Sequence, residues 1–106
     1  MTATEAMLAI TGAGAVSPFG TGTERLWTEL SEGKNCFSKD QDWATASGGH
    51  GIAGRVDRLQ APEGFPARFR RLPRAYQFAL LAVDQALRQA RLNPETESEL
   101  VGLFFC

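Results

Sequence analysis

RAYQFALLAVDQALRQARL, from Arg74 to Leu92, is the stretch on which the fold turns. It holds neither glycine nor proline, and Ala75, Phe78, Ala79, Ala82, Ala86 and Ala90 recur at helical spacing. Leu80, Leu81, Val83 and Leu87 widen the stripe almost all round, so the pattern predicts a central, well-buried helix. Its small alanines let the helix sit close to a sheet or to another helix. Pro73 suits the first turn, where its missing N–H would be unpaired anyway, and Asn93-Pro94 stops the helix.

Working outward, LVGLFF (Leu100 to Phe105) and MLAITGA (Met7 to Ala13) are short apolar runs, each expected as a buried strand. Gly12 to Gly22 is turn-rich, its glycines and Pro18 opposing regular structure. Thr21 or Thr23 then caps a helix reaching about Glu32. Leu26, Trp27 and Leu30 form its apolar stripe, Glu24 lies in its first turn, and Gly33 ends it. Lys34 to His50 has no sustained period and reads as a long surface loop, anchored by Phe37 and Trp43. Gly51 to Val56 is a strand candidate, after which Pro62, Gly64 and Pro66 interrupt the chain. Strands separated by helices point to an α/β layer with parallel pairing. A closing strand this apolar belongs in the middle of a sheet, so residues 1–106 are expected to be a piece of a larger domain.

Composition narrows the function classes. Of 106 residues, 43% are hydrophobic and 22% charged, the balance of a soluble globular domain or part of one. Eleven Lys and Arg against twelve Asp and Glu leave a formal net charge of −1, so no global electrostatic case exists for nucleic acid or for an anionic membrane. Cys36 and Cys106 are too few for a disulfide scaffold, and a reducing cytoplasmic setting is expected. Ala6 to Thr23 is uncharged, but its glycines, threonines and Pro18 rule out a stable spanning helix there. No Lys or Arg precedes Arg25, so a secretory signal is not expected.

Several residues invite a chemical reading. Gly12-Ala13-Gly14 follows an apolar run, but the dinucleotide pattern G-x-G-x-x-G needs glycine at Ser17, and TG-x-x-x-G needs it at Val16. Pro18 also removes an N–H where a pyrophosphate would be cradled, so a structural turn and no cofactor are expected. His50 stands between glycines with no Cys/His cluster around it, and neither a metal nor a catalytic role is assigned to it. Cys36 reads as an ordinary thiol and Cys106 as a small apolar residue. Arg55, Arg58, Arg68, Arg70, Arg71 and Arg74 face only Asp57 and Glu63 locally, a surplus of positive charge. It reads either as a solvated face with some ion pairs or as a docking patch for an acidic partner centred on Arg68, Arg70, Arg71 and Arg74.

AITGAGAVSPFGTGTERLWTELSEGK (Ala9 to Lys34) resembles the opening of a β-ketoacyl synthase, with its strand, its TG-x-G-x-V-(S/T)-P-x-G turn and its W-x-x-L helix. RRLPRAYQFALLAVDQALRQARL (Arg70 to Leu92) is similar to that family's Arg-rich lead-in and Q-(F/Y)-A-L-x-A helix, and LVGLFF stands where its next core strand would be. Leu72-Pro73 replaces the Met-Asp often found before the long helix. The resemblance implies the N-terminal part of a thiolase-like αβαβα fold, usually in a homodimer or paired with another ketosynthase chain. It also implies decarboxylative Claisen condensation on acyl carrier protein substrates, in fatty-acid or polyketide synthesis. The family's nucleophilic cysteine and its histidines would lie beyond position 106, so no catalytic residue is assigned here. Acyl carrier protein is the acidic partner implied for the arginine patch. The competing reading is a non-catalytic module that docks a carrier protein or pairs with a ketosynthase.

Overall fold

Two segments distant in sequence cross at the centre of the chain. One is the long helix, Arg74–Ala90, and the other is the extended stretch from Gly12 to Ala15. The computed structural model describes residues 6–46, 48–57, 59–97, 99 and 101–104. In chain order these form β1 (Val16–Ser17), β2 (Gly20–Thr21), α1 (Thr23–Ser31), β3 (Phe37–Lys39), α2 (Gln41–Ala46), β4 (Ile52–Gly54), a 3₁₀ turn (Ala67–Arg71), α3 (Arg74–Ala90) and α4 (Pro94–Glu97).

The crossing explains Gly12 and Gly14. A β-carbon on Gly12 would overlap the carbonyl oxygen of Ala86, and one on Gly14 would overlap that of Ala82. Only glycine on one side, facing an alanine stripe on the other, lets the two backbones come this close. The periods also match: four helical residues rise ~6 Å and two extended residues span ~6.6 Å. Polar ties follow the same spacing. Ala13 N–H donates to Gln89 Oε1 at 2.7 Å and Ala15 N–H to Gln85 Oε1 at 3.1 Å.

α3 ends as its sequence predicts, with Arg91 in the left-handed conformation (φ 58°) just before Asn93-Pro94. Pro73 occupies the N-cap rather than the first turn. Pro94 then opens the short α4, where Asn93 Oδ1 accepts from the Glu95 N–H at 3.0 Å. α1 stops at Gly33 (φ 74°), but its N-cap is Gly22 rather than Thr21 or Thr23, and no side chain caps it.

Other expectations are corrected. Met7 to Ala13 and Val101–Phe104 form no strand; Leu100, Phe105 and Cys106 lie outside the described residues. Pairing is antiparallel, not parallel: β1 with β2, and β3 with β4 in the register Phe37↔Gly54, Ser38↔Ala53, Lys39↔Ile52. The segment from Lys34 to His50 is a hairpin strand and a helix rather than a long loop, and Phe37 and Trp43 are exposed rather than anchored. A strand needs a neighbour to pair with, and MLAITGA has none among the described residues.

Burial is correspondingly thin. Phe69 and Leu81 are the buried hydrophobics among the described residues, so α3 is covered on one face and not all round. Met7, Leu8, Ile10 and Phe104 are each more than 90% exposed. The accessible surface is 9248 Å², against roughly 5,800 Å² for a compact monomer of this mass. The radius of gyration is 17.9 Å, against about 13 Å for a closed domain of this length. Among the described residues the chain is a mixed α/β structure whose apolar side chains do not close a core among themselves.

Candidate functional site

The arginine patch is built around one inward-facing aromatic. Pro66 is extended, the 3₁₀ turn follows, and Phe69 points inward, 3% exposed, edge-on to Phe65 with ring centroids 5.3 Å apart. With Phe69 turned in, Arg68, Arg70 and Arg71 are left exposed. Residues three apart eclipse in a 3₁₀ helix, which sets Arg68 and Arg71 along one edge. Among the described residues, none of these three arginines has an ion-pair partner.

A buried amide holds the turn against α3. Gln77 Nε2 donates to the carbonyls of Phe69 at 3.0 Å, Leu72 at 3.0 Å and Arg70 at 3.4 Å. Those carbonyls are at the end of the 3₁₀ turn and its exit; the Phe69 carbonyl also accepts from the Leu72 N–H at 3.2 Å. Gln77 is the glutamine of the Q-(F/Y)-A-L-x-A motif, but sequence alone does not assign its role as the tie to the 3₁₀ turn.

Two other arginines of the local surplus, Arg74 and Arg55, are engaged. Arg74 Nη2 donates to the carbonyl of Val56, and its guanidinium lies 5.3 Å over the Phe78 ring. Arg55 pairs with Asp40 at 2.9 Å and with Asp57 at 3.2 Å. The hydrogen bond and charge of Asp40 raise the Arg55 pKa further. Arg58 lies outside the described residues. Arg70 and Arg74 line a cleft of about 780 Å³ together with Asp57, Leu59, Leu72 and Gln77.

The remaining candidates are scattered. Cys36 is half-buried beside an open groove of about 820 Å³ that also meets Arg25, Lys34 and Asp40. His50 is exposed in the loop before β4. Among the described residues there is no group of three or more His, Cys, Asp or Glu that could hold a metal ion. Among them, too, no helix is long and apolar enough to cross a membrane. Gly12 and Gly14 face the backbone of α3, so their role is close packing rather than a phosphate cradle.

Residues 6–106 match the family "Beta-ketoacyl synthase, N-terminal domain". The tetracenomycin polyketide synthase ketoacyl synthase beta subunit of Streptomyces glaucescens is 35% identical over 97 residues, covering 89% of this chain and 23% of that protein. A granaticin polyketide β-ketoacyl synthase of Streptomyces violaceoruber is 33% identical over 90 residues, covering 82% and 21%. The 3-oxoacyl-[acyl-carrier-protein] synthase 2 of Rhizobium meliloti is 30% identical over 101 residues, covering 88% and 24%. The chain thus spans about a fifth to a quarter of the length of these curated relatives. No solved structure matches it.

Proposed function

The chain belongs to the β-ketoacyl synthase family, and on that premise we propose that it is the N-terminal part of a β-ketoacyl-[acyl-carrier-protein] synthase of fatty-acid or polyketide biosynthesis. In this reading residues 1–106 contribute layers to a thiolase-like αβαβα fold, and the rest of the synthase covers Met7, Leu8, Ile10 and Phe104. The observation that carries it is the family match over residues 6–106. A structural fact supports it: the two sequence blocks of the resemblance are seated on each other, Gly12 to Ala15 across α3.

The reaction of that class joins two thioesters. An acyl group passes to a cysteine thiolate, malonyl thioester loses carbon dioxide, and the resulting carbanion attacks the acyl carbonyl and expels the thiolate. The chain's own part is to bind the carrier. Arg68, Arg70, Arg71 and Arg74 form a cationic face toward an acidic acyl carrier protein, which speeds encounter and sets orientation more than it adds affinity. Cys36 and His50 take no part in the chemistry, and residues 1–106 alone are inactive.

A titration of acidic acyl carrier protein into the full-length protein tests this. The triple reversal R68E/R70E/R71E should weaken binding by roughly tenfold and flatten its salt dependence. Unchanged binding by that variant overturns the docking role. A second reading, a non-catalytic module that docks a carrier or pairs with a ketosynthase chain, is favoured by the patch lying wholly within this chain. Carbon dioxide release from malonyl carrier protein by the full-length protein separates the two, and turnover by residues 1–106 alone refutes both.

A further inference from the structure

We propose that Gln77 is the positioning residue of the arginine patch: from inside the fold it fixes the 3₁₀ turn that presents Arg68, Arg70 and Arg71 to an acidic carrier protein. The inference rests on the docking reading above and adds to it a residue that the partner does not touch. Gln77 is only 9% exposed. The three arginines are exposed and, among the described residues, without ion-pair partners.

Two backbone hydrogen bonds shape the turn, from the Phe69 N–H to Pro66 O at 3.0 Å and from the Leu72 N–H to Phe69 O at 3.2 Å. Both are internal to it and do not seat it on the fold. Seating comes from the buried Phe69 ring and from Gln77, whose Nε2 donates to the carbonyls of Phe69 and Leu72 at 3.0 Å and of Arg70 at 3.4 Å. Those carbonyls bracket Arg70 and Arg71, so one amide fixes the peptide units from which both guanidinium groups extend. Four residues on, Leu81 is buried, and after four more Gln85 holds Ala15. One side of α3 thus carries the arginine turn, a core leucine and the Gly12 to Ala15 segment at four-residue spacing, about 12 Å from Gln77 to Gln85 along the axis. Losing the Gln77 amide leaves every positive charge in the chain and removes only the order of the turn, so charge and position can be varied separately.

Kinetics of acyl carrier protein binding to the full-length protein, with amide exchange on the same variants, test this. Q77M keeps the side-chain bulk and loses the donor. Exchange at the Leu72 amide should rise while Leu81 stays protected, a loosened turn on an intact α3. Carrier dissociation should then be roughly three- to fivefold faster, with association within about twofold of the parent and the salt dependence unchanged. R70E/R71E should do the reverse, slowing association and flattening its salt dependence. In the Q77M background R70E/R71E should cost less than in the parent, because unpositioned arginines contribute less. Q77N, whose amide falls one methylene short of the carbonyls, carries the test should Q77M fail to fold. A parent-like dissociation rate despite a deprotected Leu72, or a Leu72 amide as protected as in the parent, overturns the proposal. A smaller binding-competent fraction at an unchanged dissociation rate makes Gln77 merely structural and overturns it too. Indifference of binding to R68E/R70E/R71E instead removes the docking reading beneath it.

Discussion

Gln85 holds Ala15 by both of its backbone polar groups: Oε1 accepts from the Ala15 N–H at 3.1 Å, and Nε2 donates to the Ala15 carbonyl at 3.1 Å. A side-chain amide on α3 thus takes the place that a neighbouring strand's peptide would occupy. Gln89 does half as much for Ala13, accepting its N–H at 2.7 Å. This pair of glutamines, one helical turn apart, keeps the segment docked in register although no strand among the described residues pairs with Gly12 to Ala15.

Replacing Gln85 by Met should therefore open the crossing by about 1–2 kcal/mol, since it strands the half-buried Ala15 N–H while keeping side-chain bulk; the Ala15 carbonyl retains the Gly22 N–H at 2.9 Å. Amide hydrogen exchange reads this directly, as roughly a tenfold loss of protection at Ala15. Q85E should fall between parent and Q85M, because it keeps the acceptor and loses the donor. Parent-like protection in Q85M would show that the glycine contacts alone hold the segment.

Gly14→Ala should cost about 1–3 kcal/mol, because the new methyl meets the Ala82 carbonyl oxygen and the segment has to lift away. Gly33→Ala makes a useful contrast: its φ is +74° with open space around it, so the cost is conformational, about 1 kcal/mol. Exchange at Ala13 and Ala15 should rise in G14A and stay unchanged in G33A. The added substitution A82G should not rescue G14A, since the obstacle is a peptide oxygen and not a side chain. Rescue by A82G would place the conflict elsewhere.

α3 was legible because its signals are local: an uninterrupted helical period, a proline before it and Asn93-Pro94 after it. The strands were not, because strand formation depends on a neighbour that a linear pattern does not supply, and Met7, Leu8 and Ile10 stand exposed. α2 was hidden inside an apparent loop although Asp40 signals a cap, the helix being only six residues long. The patch was legible as composition, but which of its arginines are engaged was not. Arg74 differs from Arg70 only through Val56 and Phe78, one of them eighteen residues away.

Acid should loosen α2 before α3. Asp40 Oδ1 accepts the Trp43 N–H at 3.1 Å, its Oδ2 pairs with Arg55 at 2.9 Å, and its own N–H donates to Gly51 O at 2.6 Å. The Trp43 N–H first, and then the Arg55 guanidinium, hold the Asp40 carboxyl below the usual carboxylate range. With the folded pKa depressed, the stabilisation is fully present above the unfolded value and is lost as pH falls through the folded one. Exchange at Trp43 should accelerate across that acid window while Leu81 on α3 stays protected. D40N, which keeps the cap acceptor and loses the charge, should abolish most of the pH dependence, and D40A should remove the cap as well. A Trp43 amide as acid-sensitive in D40N as in the parent would assign the effect to another carboxylate.

If the chain is the N-terminal part of a synthase, as proposed, its bare apolar flank makes opposite demands on the chain alone and on that synthase. Leu8 is 98% exposed, Ile10 92% and Phe104 94%, an arrangement that favours self-association when nothing covers it. Residues 1–106 expressed alone should therefore elute as oligomers and bind a hydrophobic dye. The double change L8K/I10K should shift that material toward monomer and reduce dye binding, without disturbing the Ala15–Gln85 tie on the opposite side of Gly12. In the full-length synthase of the proposed reading, L8K/I10K should instead lower soluble yield, because that reading buries both positions against the remaining layers. Light scattering on the short chain and soluble expression of the long one read the two arms. A monodisperse, dye-silent short chain, together with a long chain indifferent to both lysines, would mean that this flank faces water in the assembled protein.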